Sequence, residues 1–182
     1  MKQINKIDLN SYRDRVYQNA VNHGWHEEKK SDEHWMCLVI SELMEAVEAD
    51  RVSNYADIEA FEKGEMRGLD FRENFERYIK DTVQDELADA CIRLFDMAGV
   101  HGLDLQYNNY EMSCTLDFSS RTFTESMCDM IDEFFVIKFC TRSNLNEIFA
   151  FCDSRNIDIF WFIDQKMKYN ESRPFKHGGK KY

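Results

Sequence analysis

Proline is almost absent: one residue, Pro174, among 182. Glycine is scarce too, with seven. A many-turned β-sandwich or a long disordered linker would need more of both, so the sequence predicts long helices joined by short loops. No apolar run approaches the length of a membrane span, and the opening MKQINKIDLN lacks an apolar signal core, so a cytoplasmic protein without a membrane partner is expected. The six cysteines (Cys37, Cys91, Cys114, Cys128, Cys140 and Cys152) form no CxxC pair, and several sit inside apolar runs. They read as buried free thiols.

Basic charge is also short. The formal net charge is -11. Residues 166–182 hold six Lys/Arg and one acid, which leaves a body of -16 beside a tail of +5. An acidic body argues against wrapping nucleic acid, which needs a broad basic face. The tail is large enough to neutralise one compact anion; a solvated tail is the plainer reading of the same residues.

What is present is a globular composition, 43% hydrophobic and 14% aromatic, in a chain long enough for one domain with a real core. Apolar spacing predicts a helix over 9–23, with Val16, Ala20 and Tyr12 as its buried stripe, and a second from about 32 to 51. A connector with a short helix occupies 53–69, and a third long helix spans 71–99. Residues 104–120 are ambiguous. Helices over 121–141 and 144–153 follow, and a last one begins after the N-cap Asp158 and ends near Arg173-Pro174. The expectation is a single all-α domain over 1–182, with 104–153 as a helical insertion on a smaller core.

Two short patterns carry chemistry. The second helix contains Glu42-Leu-Met-Glu45 and the third Glu86-Leu-Ala-Asp89. Each pair is spaced i, i+3, so both carboxylates project from one face. On the second helix Glu42 falls inside the apolar sector of Trp35, Leu38, Val39, Leu43, Ala46 and Val47. Glu45 lies at its edge, and Glu48 points away. On the third, Glu86 borders the sector of Val83, Leu87, Ala90, Cys91, Leu94 and Ala98, with Asp89 beside it. If these faces pack together, four carboxylates meet at one seam. Unpaired buried anions are costly, and a hard divalent cation with oxygen ligands would neutralise them. One such pair alone would be an ordinary solvated face; two, both intruding on apolar sectors, point to a site.

ExxE on one helix followed by ExxD on the next resembles the metal signature of the MazG-like all-α nucleoside triphosphate pyrophosphohydrolases, relatives of the dimeric dUTPases and dCTP pyrophosphatases. SELMEAVEADR is similar to the first motif and DELADACIRLFDMAG to the second. KMKYNESRPFKHGGKKY is similar to the Lys, Asn and Arg motif of the last core helix, and NHGWHEE to the segment where base-contacting residues often lie. The resemblance covers about residues 10–100 and 157–182. It departs from the pattern at Ser41, where the family often has Glu, and in the 40 residues between Glu45 and Glu86, longer than usual.

The resemblance implies a helical bundle that cuts an NTP or dNTP into NMP and pyrophosphate in nucleotide-pool housecleaning. It implies Mg2+, with Mn2+ as a substitute, on Glu42, Glu45, Glu86 and Asp89. Phosphates would meet Lys166, Asn170 and Arg173, and the assembly would be a homodimer or homotetramer. Glu45 is the candidate catalytic acid that orients the attacking water. Trp25 is a candidate for stacking on the base, though packing explains it as well. Lys80 faces phosphate or solvent. His23, His26 and His177 lack metal spacing and read as surface residues. Two other readings remain open: a non-catalytic helical module binding a nucleotide or a partner, and an oxidative di-metal bundle, which would use Glu-x-x-His pairs that this chain lacks.

Overall fold

The computed structural model describes residues 7–106, 116–136 and 140–179. The protein is all-α, with no strand among these residues. Helix α1 spans Leu9–Asn22, α2 Asp32–Arg51, α3 Ile58–Met66, α4 Phe71–Tyr78, α5 Val83–His101, α6 Phe123–Val136, α7 Thr141–Ser154 and α8 Ile159–Glu171. Most of these starts have a side-chain cap, though α7, which follows Cys140, has none. Asp8, Ser31, Asp57, Asp70, Thr82 and Asp158 each accept the N–H three residues on, satisfying a donor that the helix cannot. Gly102 closes α5 in the left-handed conformation, φ 62°.

The expected third helix is in fact two. The chain breaks after Tyr78, and Asp81 takes φ 60°. Thr82 then restarts the helix, donating to Ile79 O at 2.6 Å and accepting the Asp85 N–H at 3.4 Å. The Val83 N–H is anchored on Asn54 O at 3.0 Å. The capping residues in Lys80-Asp81-Thr82 thus override an apolar pattern that runs through them.

Helix α5 is the axis of the bundle. It packs on α2, α1, α8 and α7, while α6 lies on α2 and α7, and α4 on α8. The apolar sectors read from the sequence meet here. Val39, Leu43 and Ala46 of α2 face Val83, Leu87, Ala90, Cys91, Leu94 and Ala98 of α5, and all are fully buried. Helices α6 and α7 add Met130, Phe134, Leu145, Ile148 and Phe149 to the same continuous core. Of the expected buried thiols, Cys91 and Cys152 are buried, but Cys37 and Cys128 are exposed and Cys140 is half-buried; Cys114 lies outside the described residues. Among the described residues no helix is long and apolar enough to cross a membrane.

Candidate metal and phosphate cleft

Between α1, α2, α5 and the end of α8 lies a cleft of about 480 Å³. Its walls carry Glu42, Glu45, Glu86 and Asp89, and also Lys166, Asn170, Arg173 and Trp25. Residues drawn from α2, α5, α8 and the α1–α2 connector therefore border one space.

Inside it the acids differ. Carboxylate oxygens of Glu42, Glu86 and Asp89 all lie within 4.8 Å of one another. Glu42 and Glu86 are buried, at 7% and 4% exposure, because their helices pack through the apolar sectors that contain or border them. Burial first, and the negative charge of Asp89 second, push the Glu42 carboxyl up to about 7 and that of Glu86 up to about 8. Glu45 stands apart: it is exposed at the rim and accepts from Ser41 Oγ at 3.3 Å. Glu48 points to solvent and pairs with Arg51.

Two cations answer the acids. Arg93 Nε donates to Glu42 Oε1 at 3.0 Å. Lys166 Nζ lies 2.7 Å from Asp85 Oδ2 and 2.7 Å from Asp89 Oδ2. Desolvation lowers the Lys166 pKa and the two carboxylates raise it; they prevail, so it stays charged. Lys166 thus spends two of its three donors on acids. Glu86 has no ion-pair partner among the described residues. Four acids, Glu42, Asp85, Glu86 and Asp89, face two cations, so with all four ionised the excess of two negative charges would match one divalent ion. The oxygen-only donor trio and this charge balance fit Mg2+.

The far wall is polar and under-satisfied. Asn170 is buried, and its Oδ1 finds no hydrogen-bond partner. Arg173 is half-buried, with its guanidinium carbon 5.7 Å from the Tyr169 ring centroid and no acid paired to it among the described residues. Lys80 pairs with Asp81 at the cleft edge. Lys168 instead lies over the Phe71 ring, 3.7 Å from its centroid, away from the cleft wall. Lys180 and Lys181 fall outside the described residues.

Trp25 is half-buried and edge-on to His177, with ring centroids 5.1 Å apart. It borders both the cleft and an adjoining cavity of about 150 Å³ that also meets Trp35, His34, Leu38, Arg93 and Asp96. The histidines are not surface residues as expected. His23 is buried, bonding Asn19 O at 2.8 Å and Arg173 O at 2.9 Å, and His26 Nε2 meets Asp96 Oδ1 at 2.8 Å. His177 is half-buried.

Sequence reasoning missed Asp85, Arg93 and Asp96. The signal was present, because 86, 89, 93 and 96 continue the i, i+3, i+4 spacing along one face of α5. Asp85 reaches the same place as the i-4 neighbour of Asp89.

Compared with known proteins, the chain matches no family model, no curated protein and no solved structure.

Proposed function

We propose that this chain is a Mg2+-dependent nucleoside triphosphate pyrophosphohydrolase, converting an NTP or dNTP and water into NMP and pyrophosphate. One observation carries the reading: a single cleft holds the close carboxylates of Glu42, Glu86 and Asp89 and is also bordered by Arg173, which has no acid partner among the described residues. A polyphosphate with its cation supplies both complements.

Glu42, Glu86 and Asp89 would hold the Mg2+, which when bound supplies positive charge to the phosphate oxygens. Arg173 offers a planar fork suited to phosphate oxygens. The Asn170 side chain lines the same wall. Glu45, at the wet rim, takes the proton as a water oxygen forms its bond to the α-phosphorus; the bond from that phosphorus to the bridging oxygen breaks, and pyrophosphate leaves with the electron pair. The adjoining cavity, walled by Trp25 and Trp35, is where a base can leave water. The all-oxygen acid cluster favours this chemistry over an oxidative di-metal site, which calls for imidazole ligands.

Purified protein incubated with a panel of NTPs and dNTPs, with and without Mg2+, should release NMP and pyrophosphate. Glu42→Gln and Asp89→Asn should each lower the rate by about 100-fold or more. Absence of turnover on every nucleotide by folded protein would sink the reading and favour a binding module.

A further inference from the structure

We infer that Asp85 and Lys166 form a positioning pair, which fixes the Asp89 carboxylate in the cleft from behind. This rests on the proposed function only in taking Asp89 as a metal ligand. The resemblance to the pyrophosphohydrolases would put Lys166 on phosphate; here its ammonium is committed to two carboxylates at 2.7 Å each.

Asp85 cannot touch a substrate. Its side chain has 0% exposure, and it does not border the cleft. Its Oδ2 accepts from Lys166 Nζ and, at 3.0 Å, from the Asp81 N–H. The second contact ties the carboxylate to the rigid turn that starts α5. Asp85 therefore acts on Asp89 through Lys166, while its own carboxylate also lies near that of Glu86.

Lys166 is in turn immobilised. A lysine head on a four-carbon stem is flexible by default. This one is 7% exposed, and its ammonium lies 5.8 Å from the Phe75 ring centroid. Held on three sides, it becomes a fixed donor. Asp89 is only partly buried, at 20% exposure, and would otherwise choose among rotamers. Engaging Asp89 Oδ2 restrains the carboxylate that lies with those of Glu42 and Glu86. Partners of this kind, one shell out from a ligand, typically set metal affinity by about 10–100-fold.

The test uses full-length, nucleotide-free protein, with Mn2+ binding measured by calorimetry and unfolding measured in chelator. Asp85→Asn and Lys166→Met should each lower Tm, because the first takes away one of the two carboxylates that hold the buried ammonium and the second leaves Asp85 buried without its cation. The double variant removes one charge of each sign, so the local net charge equals that of wild type. Its Tm should recover most of the loss, while its Mn2+ Kd stays about 10-fold or more weaker. Mn2+ affinity within twofold of wild type in the double variant would overturn the positioning role and leave the proposed function standing. If the double variant does not fold, Lys166→Arg decides: the charge is kept but the head group moves, and an unchanged Mn2+ Kd would overturn the inference. Wild-type protein that binds no Mn2+ would overturn the metal cluster itself, and the positioning pair with it.

Discussion

At the scale of single residues, the cleft is a place where stability has been traded for charge. Glu42, pushed up to about 7, and Glu86, pushed up to about 8, stay protonated in the metal-free fold at pH values where an unfolded chain, with a carboxyl near 4.5, has released its protons. The folded form then binds more protons than the unfolded one. The stability this confers is full below the unfolded value and is lost as pH rises through the folded values. In chelator, Tm should therefore fall by ~5 °C or more between pH 5.5 and pH 8, at about 1.4 kcal/mol per unit of raised pKa. Glu86→Gln should flatten that slope, since Gln carries no charge at any pH. Mg2+ should restore Tm at pH 8. A flat Tm profile in chelator would refute this account of the cluster. The residue identities at the seam were legible in the sequence because an acid inside an apolar stripe is anomalous. Arg93 showed only as a spacing along the acidic face of α5, and Asp85 not at all, since an acid in a first helical turn and an arginine mid-helix are both ordinary. Only their partners on other helices make them unusual, and single-chain periodicity carries no information about partners.

At the scale of elements, α5 matters most, and its fit against α1 depends on one small residue. A Cβ at Gly99 would lie 2.5 Å from Tyr17 Cβ, the stem of a side chain that cannot swing aside. Gly99→Ala should therefore destabilise the protein by about 1–3 kcal/mol, measured as a lower urea midpoint with an unchanged m-value, despite alanine's better helix propensity. No loss of stability would mean that α1 and α5 do not approach this closely. The helices themselves were largely readable. Those at 9–22, 32–51 and 159–171 carry caps and apolar periods that agree. The one misread element, 71–99, failed where two signals conflicted. The apolar period continued through Lys80-Asp81-Thr82, but Thr82 could satisfy the backbone as a new cap, and the local hydrogen bonds won. The break sets the first turn of α5 so that Glu86 borders the cleft with Asp85 buried behind it.

At the scale of the whole molecule, one core joins the described part of the expected 104–153 insertion to the rest of the single all-α domain. Phe149 on α7 is 1% exposed and packs on Phe160 of α8 with ring centroids 4.9 Å apart. Phe149→Ala should cost about 3–5 kcal/mol and shift a single unfolding transition, seen alike by far-UV circular dichroism and tryptophan fluorescence. Two separated transitions would instead mark 104–153 as an independent module. The sequence hid this unity because contacts across α5, α7 and α8 are distant in the chain. That distance has a further consequence, for the order of synthesis. Lys166 follows Asp85 by 81 positions. A growing chain therefore makes α1, α2 and α5 long before it makes the lysine that pairs with Asp85 and Asp89. Until then, closing the first helices would bury Asp85 without its counter-ion, at the cost of an unpaired charge. The order of synthesis thus disfavours collapse of the half-made bundle until α8 has left the ribosome.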